Sequence, residues 1–424
     1  MPTSTPVTPA PRAGAPPARA SASAPATRTV LYFIAYPQRM AGANRSLFEL
    51  VRNLPPRIRP FVVIAGEGQV ADSYRQAGIP CTVLAPGGSL GTYGRGLMRT
   101  SRLQRMRIAL SELLPFTLKL RRLIVETGAD LVHVNDPRGA LMAGPAAHLA
   151  RRPVVAHVRG EIPFSRLARG AFVHGARRLI TVSEGVRRTL PPRGREQAVT
   201  VYNGIRELPR PESPIPFLQH LRGRGVTVVA CFASVVPFKG FHHLLRAAAL
   251  LRDRGWAERV AFVCVGDMVE GYEKYHAWLA ALAAELGVDN VTFTGWQADP
   301  FAFYASADVA VLPSVSHERA VIAGEEVDVR GNEGFPRTHL EAMVFGLPVV
   351  GTRIAGVPEQ VEEGVTGLVC EPSDPAGLAG ALEVLLRSPE LRRKMGEAGR
   401  ERVHRLFSTR AYVDGVMAVY DGIR

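Results

Sequence analysis

Short apolar runs and amphipathic segments alternate along most of the chain after Arg28. Runs such as TVLYFIAY at 29–36 and VTVVACFAS at 226–234 are apolar almost throughout, which is typical of strands buried on both faces of a sheet. Segments such as GANRSLFELVRNL at 42–54 repeat apolar residues every three or four positions, as an amphipathic helix does. This alternation predicts parallel sheets that helices cover on both faces.

The alternating series occurs twice, so the sequence predicts two domains. Proline clusters in ELPRPESPIPFL, where neither a helix nor a strand continues. We therefore expect a first domain over 29–205, a linker over 206–221 and a second domain over 222–407. Residues 1–28 are rich in Pro, Ala, Ser and Thr, lack acidic residues and are expected to be disordered. The predicted fold class is α/β, with two doubly wound, Rossmann-like domains that face each other across a cleft.

Composition narrows the function classes. The longest apolar runs are strand-sized, and none approaches the roughly 18–20 residues of a membrane span. The four cysteines are far apart and predict reduced core residues, with neither a disulfide framework nor a metal site. The segment before Thr29 lacks the apolar core of a secretory signal, and its prolines argue against an organelle transit helix, so a cytoplasmic location is expected.

The formal net charge of +14 favours anionic partners: phosphates, an anionic membrane surface or nucleic acid. A nucleic-acid surface would need aromatic residues interleaved with the basic ones. Aromatic residues make up only 7% of the chain and show no such pattern, so no nucleic-acid partner is expected.

The stretch NEGFPRTHLEAMVFGLPVVGT places two glutamates around a predicted helix start. Pro336 suits the first turn of a helix, and Gly346 with Pro348 ends it. Glu333 lies in the preceding loop and Glu341 lies just over one turn inside the helix. Carboxylates at such a site suggest recognition of hydroxyl groups. One carboxylate could bind the hydroxyls of a sugar, and the other those of a ribose. The alternative is a solvated helix with two ordinary surface glutamates.

Other strand ends of the second domain carry residues suited to a phosphate or a ligand. Lys239 and Gly240 begin a helix, where a lysine and free N–H groups can hold a diphosphate. Asp267 and Gly295 each follow an apolar run. Each of these residues alone could equally occupy an ordinary surface position. The prediction of a ligand site rests on the order and spacing of all of them together.

After residue 28 the chain resembles the large glycosyltransferase family 4, whose members are retaining enzymes of the GT-B fold. The similarity rests on AGANRSLFEL, VVAHVRGE, LITVSEGVRRTL, VYNGI, FKG, VTFTGW, ADVAVLPS and, above all, EGFPRTHLEAMVFGLPVVGTRIAGVPEQVEEGVTGLV. The last motif contains the paired glutamates at the family's spacing. The resemblance also implies that a last helix, within 408–424, returns to pack on the first domain.

The resemblance implies a role for each matching residue. Glu333 would face the donor sugar, Glu341 the nucleotide ribose, and Lys239 the diphosphate, with His157 near the reacting sugar. The implied catalytic residues are His157, Glu333 and Lys239, and the implied donor-binding residues are Gly42, Ser234, Lys239, Gly240, Asp267, Gly295, Glu333, Gly334, Phe335, Arg337, Thr338, His339 and Glu341. As a lone residue, His157 would more often be a structural histidine.

Three features depart from the family pattern. The family usually has Gly-Arg where this chain has Ala233 and Ser234, so one phosphate-binding cation is missing and Arg337 or another arginine would replace it. Pro336 stands where glycine is common. Residues 314–332 are longer than the usual link before Glu333, a lengthening found in polysaccharide-assembly members.

The implied reaction moves a sugar from a nucleotide-diphosphate sugar to a hydroxyl of a glycan, glycolipid or other acceptor with retained anomeric configuration. Lys239 and helix N-termini would stabilise the departing diphosphate. No cofactor and no metal are expected, because no Asp-x-Asp motif is evident and GT-B enzymes usually need no metal. The alternatives are a GT-B epimerase or phosphorylase, whose cofactor lysine or paired histidines we do not recognise here, and a nucleic-acid-binding protein.

Residues 95–122 combine many arginines with a single glutamate and interleaved apolar residues. Such a basic amphipathic segment suits an anionic bilayer, where a lipid-linked acceptor would be met at the inner face of the membrane. The alternative is a helix whose apolar face packs on its own sheet.

Overall fold

The first sheet contains seven parallel strands in the order β3-β2-β1-β4-β5-β6-β7. The computed structural model describes residues 27–88, 101, 106–162, 166–211, 213–331 and 333–423. The strands are β1 (Arg28–Ile34), β2 (Ile58–Ile64), β3 (Cys81–Val83), β4 (Leu131–Val134), β5 (Val154–Val158), β6 (Arg178–Thr181) and β7 (Ala198–Thr200). Nearly all of the predicted disordered segment and most of the basic stretch 95–105 lie outside the described residues.

The second sheet contains six parallel strands in the order β10-β9-β8-β11-β14-β15. An antiparallel hairpin of two further strands, β12 and β13, is inserted between β11 and the next helix. The strands are β8 (Thr227–Phe232), β9 (Val260–Val265), β10 (Val291–Gly295), β11 (Val309–Leu312), β12 (His317–Ile322), β13 (Glu325–Arg330), β14 (Val349–Thr352) and β15 (Gly367–Cys370).

Helices cover both faces of the two sheets. Those before β8 are α1 (Gly42–Arg52), α2 (Gln69–Gln76), α3 (Leu114–Glu126), α4 (Pro137–Leu149), α5 (Arg166–Gly175), α6 (Glu184–Arg188), α7 (Pro192–Gln197) and α8 (Pro216–Gly223). Those after it are α9 (Phe241–Leu251), α10 (Glu273–Glu285), α11 (Phe301–Ser306), α12 (Arg337–Val344), α13 (Val357–Gln360), α14 (Pro375–Arg387), α15 (Pro389–Leu406) and α16 (Thr409–Asp421). A π-helical turn, Ala109–Leu113, leads into α3. The predicted α/β class with two doubly wound sheets is confirmed.

Strand β1 explains how the first sheet is buried on both faces. Its odd-numbered residues, such as Leu31 and Phe33, pack in the same apolar cluster as α3 and α4. Its even-numbered residues, such as Val30 and Tyr32, pack with α1 and α16. An uninterrupted apolar run is the sequence pattern that such a strand requires.

The last helix, α16, covers one face of the first sheet. Tyr412, Val416 and Tyr420 are buried in the cluster that contains Val30. The guanidinium of Arg28 donates to the carbonyl oxygen of Tyr420 at 2.6 Å. The first and last described elements of the chain are therefore neighbours. Helix α8 begins inside the segment predicted as the linker and packs on β8.

The lengthened segment before Glu333 forms the β12–β13 hairpin. Its turn contains Ala323 and Gly324, both with positive φ (51° and 79°). At its base, the amide of Gly331 donates to the carbonyl oxygen of Ser316 at 2.7 Å. Only two residues separate the end of β13, at Arg330, from Glu333.

All four cysteines are free, and Cys231, Cys264 and Cys370 are buried. Within the described ranges, no helix combines the length and the apolar character that crossing a bilayer requires.

Candidate functional site

The carboxyl ends of the strands in the two sheets face each other and are joined by direct contacts. Arg39, after β1, forms an ion pair with Asp267, after β9. Arg45 of α1 has its Nη1 3.9 Å from Oε1 of Glu341. The side-chain amide of Asn203 donates to the carbonyl oxygen of Phe335 at 3.3 Å. The strand order reverses at β1/β4 and at β8/β11, which is where doubly wound sheets bind ligands.

Lys239 and Glu333, both of the second domain, form an ion pair between Nζ and Oε2. Their side chains are only 17% and 13% exposed, so solvent screens the pair less than it would a surface pair. Lys239 ends a short 3₁₀ turn, Pro237–Lys239, and Gly240 begins α9. The sequence placed both residues at helix starts, and the structure brings them together.

Gly240 is required by its surroundings. Its φ is 73°, in the left-handed region that favours glycine. A Cβ at this position would lie 1.9 Å from the carbonyl oxygen of Pro313, which follows β11. The turn Pro237–Lys239 and Gly240 therefore pack closely against the carboxyl end of β11.

Glu341 is buried one turn inside α12 among hydrogen-bond donors. Tyr304 Oη donates to its Oε2 at 2.9 Å, and Nε of Arg337 lies 3.7 Å from its Oε1. Burial, with the adjacent Glu341 charge, raises the pKa of Tyr304 well above its ordinary value. Glu341 is thus a fixed acceptor and no ordinary surface glutamate.

Gly334 and Phe335 attach the Glu333 loop to the first domain. Ser183 Oγ, after β6, donates to the carbonyl oxygen of Gly334 at 3.1 Å. A Cβ on Gly334 would lie 2.0 Å from the carbonyl oxygen of Arg159. The ring of Phe335 stacks on Tyr202 with 5.1 Å between centroids.

The start of α12 faces the start of α1. Arg337 is largely buried, and its Nη1 donates to the carbonyl oxygen of Gly204 at 3.3 Å. A Cβ on Gly42 would lie 3.9 Å from Cδ of Arg337, its nearest neighbour. Thr338 is half-buried. Among the residues that the structure describes, no side chain caps the α12 N-terminus, which leaves its first backbone N–H groups available to a ligand.

His339 is buried on α12, and its Nδ1 lies 3.1 Å from Oε1 of Gln360. Burial lowers the pKa of His339 to about 4. The imidazole is therefore neutral at ordinary pH and acts as part of the packing beneath the site.

Ser234, Asp267 and Gly295 line the outer part of the same edge. Ser234 is exposed at the position where the family usually has an arginine. The amide of Val235 donates to the carbonyl oxygen of Asp267 at 2.8 Å, and Gly295 adopts a φ of 70°.

His157 is the penultimate residue of β5 and is fully buried. Its Nδ1 lies 3.3 Å from Nε2 of His133, and its Nε2 has no hydrogen-bond partner among the described residues. Burial, followed by the charge of Arg159, lowers the pKa of His157 well below its ordinary value. No hydrogen bond in the described part of the chain joins His157 to Lys239 or Glu333, and its catalytic role remains a prediction.

Arg159 lies at the same strand end as His157, and the candidate residues drawn from the sequence did not include it. It follows β5 and shares the face of His157, because side chains alternate along a strand. Its guanidinium donates to Oδ1 of Asn135 at 2.7 Å and to Oδ1 of Asn203 at 2.9 Å. The sequence contained a sign of this position. Arg159 comes two residues after His157, so its side chain points to the same face and lies nearer to the cleft.

Two family profiles match the chain, one on each domain. The profile described as Glycosyltransferase Family 4 matches residues 40–207, and the profile described as Glycosyl transferases group 1 matches residues 219–402.

Two relatives illustrate the range of similarity. A GDP-mannose-dependent alpha-(1-6)-phosphatidylinositol monomannoside mannosyltransferase of Mycolicibacterium smegmatis is 30% identical over 66% of this chain and 74% of its own. A D-inositol 3-phosphate glycosyltransferase of Saccharomonospora viridis is 33% identical over 53% of this chain, and the match spans about half, 52%, of that enzyme.

Solved structures share the fold. Alr3699/HepE of Anabaena, crystallised with UDP and in a second crystal with UDP-glucose, aligns over 93% of this chain and 100% of its own with a TM-score of 0.75 and 21–22% identity. Sucrose-phosphate synthase of Thermosynechococcus elongatus aligns over 93% of this chain and 99% of its own with a TM-score of 0.66 and 18% identity.

Proposed function

Because the chain belongs to the glycosyltransferase family 4, with a GT-B fold, we propose that it transfers a sugar from a nucleotide-diphosphate sugar to an acceptor hydroxyl with retained configuration. The observation that supports this most is the largely buried Lys239–Glu333 pair between two helix starts. When a donor binds, the two side chains can separate, so that Lys239 contacts the diphosphate and Glu333 contacts the sugar.

The donor's diphosphate would compete with Glu333 for the Lys239 ammonium. Once the diphosphate binds, Glu333 is free to accept hydrogen bonds from the sugar hydroxyls. The amides at the start of α12 add further donors for phosphate oxygens. Arg337 and Arg45, both close to Glu341, are our candidates for the cation that Ser234 does not provide.

Leaving-group stabilisation is the main catalytic effect in this proposal. Negative charge grows on the departing diphosphate, so its attraction to Lys239 strengthens towards the transition state and lowers the barrier. The acceptor hydroxyl attacks from the face that the diphosphate leaves and passes its proton to the leaving phosphate. We propose that the reaction needs no cofactor and no metal ion.

We infer an acceptor of the glycan or lipid-linked class, met by a cytoplasmic protein at the inner face of the membrane. The lengthened link before Glu333, a feature of polysaccharide-assembly members, forms a complete hairpin beside the turn Pro237–Lys239, which we call the donor turn. An exposed apolar stripe beside the basic segment, at the start of α3, supports contact with an anionic bilayer.

Thermal unfolding in the presence of UDP-sugars and GDP-sugars tests the donor. Relatives or structural neighbours use or bind each of these two nucleotides, so both sets are needed. The cognate donor should raise the melting temperature by mass action, and 100-fold excess over Kd corresponds to about 2.7 kcal/mol.

Glu333→Gln and Lys239→Ala test the assignment of the pair. With the cognate donor, Lys239→Ala should lower kcat by roughly 10²–10³-fold, the usual effect of removing one preorganised partner of a developing charge. Lys274→Ala is the matched control, because Lys274 also pairs with a glutamate, Glu325, but at an exposed position. Activity of either site variant near that of the control would contradict the proposal.

A further inference from the structure

Two adjacent histidines and one glutamate form a buried cluster behind the donor turn. His242 and His243 lie in the first turn of α9, just after Gly240 and Phe241. Glu318 reaches them from β12, 75 residues away in sequence, so only the fold brings the three together. The side chains are 1%, 10% and 10% exposed, respectively.

The three side chains present their ligand atoms to one point. Nε2 of His242 lies 2.8 Å from Oε1 of Glu318, and Nε2 of His243 lies 2.8 Å from Oε2. The potential ligand atoms all lie within 4.8 Å of one another. Small side-chain rotations would bring each of them to the roughly 2 Å that zinc requires.

A second layer of contacts holds the cluster in place. Tyr275 Oη lies 3.0 Å from the other ring nitrogen of His242, Nδ1, and the hydroxyl of Ser373 donates to Glu318. Metal-binding histidines usually have such a partner on the second nitrogen, which fixes the tautomer and the ring orientation. Tyr275 is itself 2% exposed and belongs to the apolar core.

The ligand types suit a cation. An imidazole nitrogen offers a lone pair to a metal ion, and a carboxylate adds oxygen ligands with one negative charge.

We propose that His242, His243 and Glu318 bind one divalent transition-metal ion, with Zn²⁺ as the best match to two imidazole nitrogens and one carboxylate. Imidazole and carboxylate ligands together favour zinc over the oxygen-seeking Mg²⁺ and Ca²⁺. The single negative charge of Glu318 offsets half of the charge of the ion. The three ligands do not include Lys239 or Glu333, so the ion would contact neither the donor nor the acceptor in the proposed sugar transfer.

The ion would attach the hairpin to the donor turn. The amide of Val315, just before β12, already donates to the carbonyl oxygen of Phe238 at 2.8 Å. The hairpin leads directly to Glu333 at its other end. A metal bridge from β12 to the start of α9 therefore positions both members of the Lys239–Glu333 pair.

Zinc binding by the full chain is the direct test. Bound metal is removed from the protein with a chelator, and the protein is desalted and titrated with ZnSO₄. Calorimetry measures the heat of binding, and metal analysis measures the zinc bound per chain. We expect one zinc per chain and a melting temperature that rises with free zinc. Co²⁺ should give a visible absorption band that zinc abolishes. Wild-type protein that takes up no stoichiometric zinc would overturn the proposal.

Variants locate the ion. Glu318→Gln and His243→Gln keep the size of each side chain but remove a ligand, so both should lose the stoichiometric zinc. Tyr275→Phe should retain zinc with an affinity about 10-fold lower, as loss of an outer contact does. His317→Gln is the matched control, because His317 also lies on β12 and pairs with Asp328 but is exposed. Equal zinc uptake by Glu318→Gln and the control would mean that the cluster is only a hydrogen-bonded clamp.

Discussion

At the scale of single residues, Gly240 shows how the donor turn depends on the backbone. We predict that Gly240→Ala destabilises the protein by at least about 1–2 kcal/mol, the usual penalty for a side chain in the left-handed region. The clash with the carbonyl oxygen of Pro313 adds to that penalty. Moving this turn displaces Lys239, so nucleotide-sugar binding should weaken as well.

Gly223→Ala is the control for that substitution. Gly223 ends α8, and a Cβ there would meet nothing within 4 Å. Alanine at this position should leave donor binding unchanged and stability equal or slightly higher. Calorimetric melting and donor titration of both variants check the prediction, which fails if the two behave alike.

Three buried histidines predict a loss of stability in mild acid. Burial lowers the pKa of His133 to about 3 and of His339 to about 4, and it also lowers the pKa of His157 well below its ordinary value. Unfolding returns each imidazole to about 6.5, so the unfolded chain binds more protons below that pH. His133 and His339 should therefore each reduce the free energy of unfolding by about 1.4 kcal/mol per pH unit from pH 6.5 down to the folded pKa.

Urea unfolding between pH 8 and pH 5 measures this slope. His339→Gln should reduce this slope by the contribution of one histidine. A wild-type slope that is flat below pH 6.5 would show that these imidazoles do not stay neutral.

The placement of a residue at a helix start follows from local sequence, and the roles assigned to such residues remain predictions. Lys239 and Glu333 each mark a helix start, so their approach could be expected from the sequence. The hydrogen bond from Tyr304 to Glu341 could not, because it joins two helices through the packing of aromatic rings. Arg159 was missed because the histidine beside it matched a familiar motif.

At the scale of elements, the segment 106–118, which includes the first turn of α3, exposes an apolar stripe. Met106, Leu110, Leu114 and Leu118 recur every four residues and are 46–61% exposed. We predict that Leu110→Glu with Leu114→Glu abolishes binding to anionic vesicles at low salt. Val384→Glu, at an exposed apolar position on α14, is the control.

The basic charges of the same segment should contribute separately. Arg107→Gln should weaken vesicle binding by roughly 1 kcal/mol, as expected for one charge near an anionic surface. Arg99, Arg102 and Arg105 belong to the same prediction but lie outside the described residues. Cosedimentation with vesicles measures both effects, and a wild-type protein that ignores anionic vesicles would exclude membrane contact.

Most strands could be predicted, and the hairpin could not. The sheet strands are continuous apolar runs because both of their faces are buried. Strands β12 and β13 carry charged residues on exposed faces, so they resemble a long loop. Only the Ala323-Gly324 turn between two alternating stretches hinted at a hairpin.

At the scale of the whole molecule, Glu359 of α13 connects the two domains. Its carboxylate accepts hydrogen bonds from the amides of Glu184 and Gly185, at 2.8 and 2.7 Å, across the cleft. Charge-assisted hydrogen bonds of this kind contribute about 1.5–3 kcal/mol. We predict that Glu359→Gln shifts the protein towards an open cleft and weakens donor binding.

Hydrogen exchange can follow this opening. Amides around residues 183–186 should exchange faster in Glu359→Gln, while those of β1 keep their protection. Glu363→Gln is the control, because Glu363 accepts its hydrogen bond from Val369 within the second domain. Unchanged exchange at 183–186 would show that Glu359 does not hold the cleft closed.

The position of α16 has a consequence for synthesis. A ribosome that adds about 5–20 residues per second takes roughly 10–40 s to proceed from the end of β7 to α16. During that interval the face of β1 that carries Val30 and Tyr32 lacks the helix that covers it. The first half of the nascent chain therefore exposes apolar surface until Tyr412 and Tyr420 are synthesised. We expect a chaperone to bind that surface during this interval.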